Sequence, residues 1–236
     1  MQVRVGTVGG GVVAAAALAA LLGGCAQPAD DDGKKSASTP SGSTGAAAGD
    51  TPAKAAAAAR GGTVGPAGSA CELPVRFGVA KSWKAKAVEA VKEPAQTTNG
   101  GDDDLAAALN GLLRQGPVTT ACEIDAKPAG HLGFLRVWTG GPGDADAGEV
   151  LRAFVAAEDG SGKAAYHSFT TGGGLAAVEV EYLYTSKLLE ETKKESAFAV
   201  STPGGPVVLH LGGLDTGEHE AMRPAYELAK QTLGLS

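Results

Sequence analysis

The residues of this chain whose types could do chemistry are four histidines, one Gly-Ser-Gly triplet and one acidic cluster. His131, His167, His210 and His219 could act as general bases or metal ligands. No two of them lie three to five residues apart, and none forms His-Glu-x-x-His, so no metal-binding helix is encoded locally. A catalytic site would have to be assembled by folding, from His131, His210 or His219 with a carboxylate. His210 alternates with Leu209 and Leu211 and reads as part of a strand's polar face. His219 lies in Glu218-His219-Glu220, which reads as a capped, solvated helix start where acidic residues favour the macrodipole. Gly160-Ser161-Gly162 is too short for a nucleophile elbow. Asp159-Gly160-Ser161-Gly162 is an ordinary turn. Asp144, Asp146 and Glu149 hint at a calcium loop but lack a third ligand and the closing glutamate. A helix N-cap explains Asp146 and Glu149 more simply. No catalytic, cofactor or metal residue is assigned.

Covalent chemistry centres on three cysteines, Cys25, Cys71 and Cys122. Cys25 ends Leu22-Gly23-Gly24-Cys25 after an apolar run from Val5 to Leu22. The run is alanine-rich, follows a single cation, Arg4, and at Val12–Leu22 is too short for a comfortable span of about 20 residues. The arrangement resembles the lipobox of bacterial lipoproteins. That resemblance implies cleavage after residue 24, a diacylglycerol on Cys25 and a lipid anchor on the outer face of the cell membrane. Cys71 and Cys122 remain. An exported compartment permits one bridge between them, and closing a loop of about 50 residues would be worth about 4 kcal/mol in the chain-entropy model. The alternative is two buried free thiols.

Charge bounds the partners. The formal net charge is −6, and it becomes more negative by one once Arg4 is removed. An acidic chain without clustered Lys and Arg has no electrostatic footprint for nucleic acid, so no nucleic acid is expected as a partner. Its charge would not draw it to anionic lipid either, which leaves membrane affinity to the acyl chains.

Three parts follow: a signal peptide at 1–24, a tether at 25–69 and a single folded domain at 70–236. After Cys25 the tether is almost entirely Ala, Gly, Ser, Thr, Asp, Pro and Lys, with Val64 its one large aliphatic residue. It buries too little apolar surface to offset its ordering entropy, and a flexible chain of that length spans roughly 35–40 Å. In the domain, Leu73–Val79 reads as a strand. Trp83–Val91 reads as a strand by its Lys-Ala alternation or a helix by its content. A helix is expected at Leu105–Gln115, opened by Asp102–Asp104 and closed by Gly116-Pro117. Strands at Val118–Ile124 and Gly133–Thr139 precede a helix at Gly148–Ala157. Strands at Ala164–Thr170, Leu175–Thr185, Ser196–Ser201 and Pro206–Leu211 follow. In the longest, Val178, Val180, Tyr182 and Tyr184 share a face opposite Glu179 and Glu181. A helix at Glu218–Leu233 closes the chain, with Met222, Tyr226, Ala229 and Leu233 on one face and Pro224 predicting an irregular start. Runs of strands with segregated helices predict an α+β fold, an antiparallel sheet flanked by helices. Trp83, Trp138, Tyr182 and Tyr184 either fill the core or line a pocket.

The opening strand followed by Trp83, Leu135-Arg136-Val137-Trp138, the run Val178–Tyr184, Ala197-Phe198-Ala199-Val200 and the closing Pro224-Ala225-Tyr226 helix resemble an actinobacterial lipoprotein of the PsbP-like fold, as in the LpqN-type family. The resemblance covers 73–236 and implies a PsbP-like α/β sandwich that works as a non-catalytic binding or accessory module of the cell envelope. Its partner would be an envelope protein or a small ligand. It carries over no catalytic set, and Lys187–Lys194 departs from it. The competing expectation is a surface-anchored hydrolase built from the dispersed histidines and carboxylates.

Overall fold

The computed structural model describes residues 56–89 and 108–236. Cys25, the signal segment, the tether up to residue 55, and Asp102–Asp104 with the start of the expected helix at Leu105 lie outside them. Two antiparallel sheets and two main helices make up the described fold. The larger sheet contains β3 (Lys84–Ala87), β4 (Arg114–Gln115), β5 (Val118–Asp125), β6 (Gly133–Thr139), β7 (Ser161–Thr170), β8 (Ala176–Ser186), β9 (Glu191–Thr202) and β10 (Gly205–Gly213). Its order is β3-β5-β6-β10-β9-β8-β7, with β4 paired to β5. The smaller sheet has the order β1-β2-β11, from Arg60–Val64, Val75–Ala80 and Gly234–Leu235. Helix α1 (Ala147–Ala156) follows β6, and helix α2 (Thr216–Thr232) follows β10. This is the expected α+β architecture.

The larger sheet has a core on each face because its strands alternate. On one face, Leu209 and Leu211 of β10 meet Val75 and Phe77 of β2 and Met222 and Tyr226 of α2. On the other, Trp138, Val180, Tyr182 and Val208 meet Leu151 and Phe154 of α1. Every residue of β10 is therefore buried. Cys71 and Cys122 form a disulfide with Cα atoms 5.9 Å apart, which ties the segment before β2 to β5. Both helices start on aspartate caps. Asp146 accepts from the Glu149 N–H at 2.9 Å, and Asp215 accepts from the Glu218 N–H at 2.8 Å.

Four readings of the sequence change. Strand β1 falls inside the segment read as tether at 25–69, so the fold begins before residue 70. Only Val64 of its five residues is buried. The strand is recruited by backbone pairing to β2, and glycine allows that approach, since a Cβ on Gly61 would sit 2.6 Å from Lys81 Cα. Composition does not report pairing of this kind. The expected helix to Gln115 is helical only at 108–112 among the described residues. Arg114 and Gln115 instead pair with Thr119 and Val118 across the Gly116-Pro117 turn. Strand β9 begins at Glu191 rather than Ser196, because Lys187–Lys194 is the end of a β8–β9 hairpin with Ser186 opposite Glu191. Its outer residues are exposed and charged and carry no apolar alternation. Pro224 sits well inside α2, whose start is regular because Asp215 caps it. Its carbonyl accepts the Ala58 N–H at 2.8 Å.

Candidate functional site

Helix α1 roofs only part of its sheet face. Phe154 lies over Trp138 and His210, with ring centroids 5.4 and 5.6 Å apart. Beyond it the face is open, as a groove of about 590 Å³ across the ends of β5, β6, β10, β9 and β8. That volume suits a small ligand or a short peptide segment. Phe134, Tyr184 and Lys193 line it, together with Glu123, Asp125 and Glu191.

Strand register places these side chains. Glu123 faces Arg136 across β5–β6. Arg136 faces His210, and Phe134 faces Gly212, across β6–β10. Lys193 faces Tyr184, and Glu195 faces Tyr182, across β8–β9. Directly opposed residues on one face are in contact range. Glycine at 212 makes room for the floor. A Cβ there would sit 2.8 Å from the Phe134 ring and 3.4 Å from Glu195 Oε2.

The charged groups beneath the groove pair with one another, while His210 Nδ1 is buried without a hydrogen-bond partner. Arg136 donates Nε–H to Glu123 Oε2 at 2.8 Å and lies 3.8 Å from the Phe134 centroid, a cation–π contact. Glu195, 2% exposed, accepts from His210 Nε2 at 2.6 Å and pairs through Oε1 with Lys193 Nζ at 2.7 Å. Lys193 also donates to the Gly213 carbonyl at 2.6 Å. Tyr182 donates to Glu158 at 2.6 Å, and its hydroxyl is 3.3 Å from His210 Nε2. Burial acts to raise the Glu195 pKa, but His210 and then Lys193 outweigh it, and the carboxyl is held below its ordinary value. Burial, followed by the Glu158 and Glu195 charges, pushes the Tyr182 hydroxyl well above its ordinary value, so it stays protonated.

The histidines do not converge. His131 pairs with Glu218 at 3.4 Å near the surface, and His167 is exposed on β7. His210 is buried rather than on a polar strand face, because β10 is covered on both sides. His219 is also buried, 1% exposed, where a solvated helix start was expected. The first turn of α2 packs against β9, and His219 Nε2 lies 2.9 Å from Ser196 Oγ. Glu195 and Ser196 are successive strand residues and point to opposite faces, so His210 and His219 hydrogen-bond on opposite sides of β9. His219 Nδ1 has no hydrogen-bond partner, so the Ser-His pair lacks the third group that orients a catalytic imidazole. Ser161 donates to the Val155 carbonyl at 2.8 Å, and Asp146 caps α1, as the turn and cap readings expected. No group of three or more metal-ligating side chains occurs among the described residues. Trp83, Trp138 and Tyr182 are core residues, whereas Tyr184 lines the groove.

Glu123, Lys193 and Glu195 were missed in the sequence. A partial signal was present in the alternations Phe134/Arg136/Trp138 and Tyr182/Tyr184, each of which assigns aromatic residues to one sheet face. Nothing local says that the two faces are the same.

No helix of the described residues is long and apolar enough to cross a membrane. No curated protein matches the chain. Among solved structures, the solution structure of cyanobacterial PsbP (CyanoP) from Synechocystis sp. PCC 6803 is similar with a TM-score of 0.44 at 11% identity, over 73% of this chain and 97% of that one. A family model described as uncharacterised lipoprotein matches residues 41–233. The chain belongs to that lipoprotein family.

Proposed function

We propose that the protein is anchored to the outer face of the cell membrane by lipid on Cys25 and works there as a non-catalytic binding module. The groove beside α1 is its ligand site. The observation that carries this reading is the groove itself, open over a floor whose charges are already paired. Arg136 is engaged by Glu123, and Lys193 by Glu195. Such a surface offers shape and apolar contact, with Asp125, Lys127 and Glu191 left at its edge to orient a ligand. Membership of a lipoprotein family and the Gly23-Gly24-Cys25 sequence support the anchor. Kinship to actinobacterial LpqN-type proteins, on the residues at Trp83, Trp138 and Tyr226, belongs to the same proposal.

One contact favours a second reading, a hydrolase: Ser196 Oγ lies 2.9 Å from His219 Nε2. It ranks behind because both residues are buried in the core and His219 Nδ1 is unpartnered. The test combines two measurements on the mature chain with Cys25→Ser. Binding of the neutral fluorophore N-phenyl-1-naphthylamine should be saturable and should weaken in Phe134→Ala. Esterase, phosphatase, glycosidase and peptidase substrates should not turn over. Turnover abolished by His219→Gln or His210→Gln would replace the binding reading with the hydrolase.

A further inference from the structure

Seven large hydrophobic residues are exposed among those described, and four of them, Leu132, Leu188, Leu189 and Leu214, gather at one end of the domain. Leu132, Leu189 and Leu214 border the same groove, and the Leu214 N–H donates to the Leu132 carbonyl at 2.8 Å. Leu188 and Leu189 form the tip of the β8–β9 hairpin and are 90% and 64% exposed. Leu214 and Leu132 are 56% and 47% exposed. Exposed leucines gathered around one groove mark an interaction surface rather than the scatter expected of a soluble face.

The path of the chain says what covers it. Ala58 and Ala59, near the first described residues, share a cavity with Ala129, His131 and Met222. His131 directly precedes Leu132, whose N–H donates to Glu218 Oε2 at 3.2 Å. The chain coming from Cys25 therefore joins the domain beside the leucines. An anchor at Cys25 would therefore tether the domain through this end, and a flexible chain of the intervening length has an r.m.s. span of about 30 Å.

We propose that this leucine-bearing end docks on the lipid surface that holds the anchor. The inference rests on the lipid-anchor part of the proposed function. Contact is apolar rather than electrostatic. Lys187, the cation at the hairpin tip, is engaged by Asp159 at 2.6 Å, and Glu190 and Glu191 follow the two leucines. The leucines enter the interface while the carboxylates stay among the headgroups. An acyl anchor and an apolar tip are the two signals that stable attachment uses. Docking in this pose turns the groove towards the bilayer.

The test uses the mature chain with Cys25→Ser and no lipid, floated with phosphatidylcholine vesicles. Binding is expected at low and high salt. Leu188→Ser/Leu189→Ser should weaken it by about tenfold or more, while Leu112→Ser, which removes a comparably exposed leucine from the helical stretch before β4, should leave it unchanged. Absence of vesicle binding, equal loss in both variants, or binding that needs anionic lipid and disappears in salt would overturn the proposal. Dimerisation in sedimentation that is lost in the tip variant without vesicle binding would assign the surface to a second copy of the chain instead. Cell fractionation of wild type against Cys25→Ser tests the anchor separately, so either reading can fail alone.

Discussion

Lowering the pH from 7 to 5 should destabilise the protein by about 2 kcal/mol through His219 alone. Its imidazole is buried, and burial is the main reason its pKa falls from 6.5 to about 4. Glu195 and Glu220 pull it back up, and Arg223 lowers it further. In the unfolded chain the same imidazole titrates near its ordinary value. Between pH 6.5 and 4 the unfolded state thus binds the proton that the folded state refuses. Stability falls as pH falls through this window and levels off, for this group, below about 4. A tenfold difference in proton affinity between the folded and unfolded chain is worth about 1.4 kcal/mol, so the full effect is about 3–4 kcal/mol, of which about 2 kcal/mol is in place at pH 5. The opposite case, Glu195, has a lowered pKa. Its contribution is present above its unfolded value of about 4.5 and is lost below that, outside the pH 5–7 comparison. The assay is urea unfolding by circular dichroism at pH 7, 6 and 5, with the disulfide intact, for wild type and His219→Gln. Gln can still meet Ser196 Oγ but carries no titrating group. The difference between the two proteins should shrink by about 2 kcal/mol towards acid. Parallel loss in both would show that His219 is not held neutral by burial, and the reasoning would fail.

Cys71→Ser or Cys122→Ser should cost about 4 kcal/mol, from a loop with a separation of 51 residues, measured as a shift in the denaturation midpoint. Non-reducing peptide mapping should recover the two cysteines linked. Gly212→Ala should cost about 1–3 kcal/mol by overpacking, because its methyl group would meet the Phe134 ring at 2.8 Å, and it should weaken fluorophore binding in the groove more than it weakens the fold. Cys25→Ser should leave the membrane fraction or accumulate as uncut precursor. Fractionation and migration identical to wild type would refute lipidation.

The parts of the fold that could be read are those in which burial is local and periodic. Val178, Val180 and Tyr182 announced β8, Met222, Tyr226 and Ala229 announced α2, and Asp146 announced the start of α1. Each signal comes from one segment pressed against one face. The failures share the opposite property. Strand β1 is held by backbone pairing and a glycine, so its composition stayed that of a tether. The outer half of β9 is charged because it projects beyond the core. His210 and His219 were misplaced because their burial depends on what lies over them, namely α1 for His210 and the packing of α2 on β9 for His219. An amphipathic pattern describes a segment's own two sides and is silent about a strand covered on both.

The floor of the groove shows why its chemistry was harder to see than its fold. Glu195 lies in a segment that reads as solvated polar sequence, Glu191-Thr192-Lys193-Lys194-Glu195, yet it is one of the most buried charges described. An isolated carboxylate there would face a desolvation penalty of several kcal/mol. It remains ionised because β10 supplies His210 and its own strand supplies Lys193. Those two partners are fixed by a register set far away, in the apolar pairs Val200–Val207 and Ala199–Val208. Slipping β9 by one residue would turn Glu195 towards α2 and Ser196 towards α1. The same register that pairs the buried carboxylate sets Lys193 opposite Tyr184 and brings Leu189 of the hairpin to the edge of the groove.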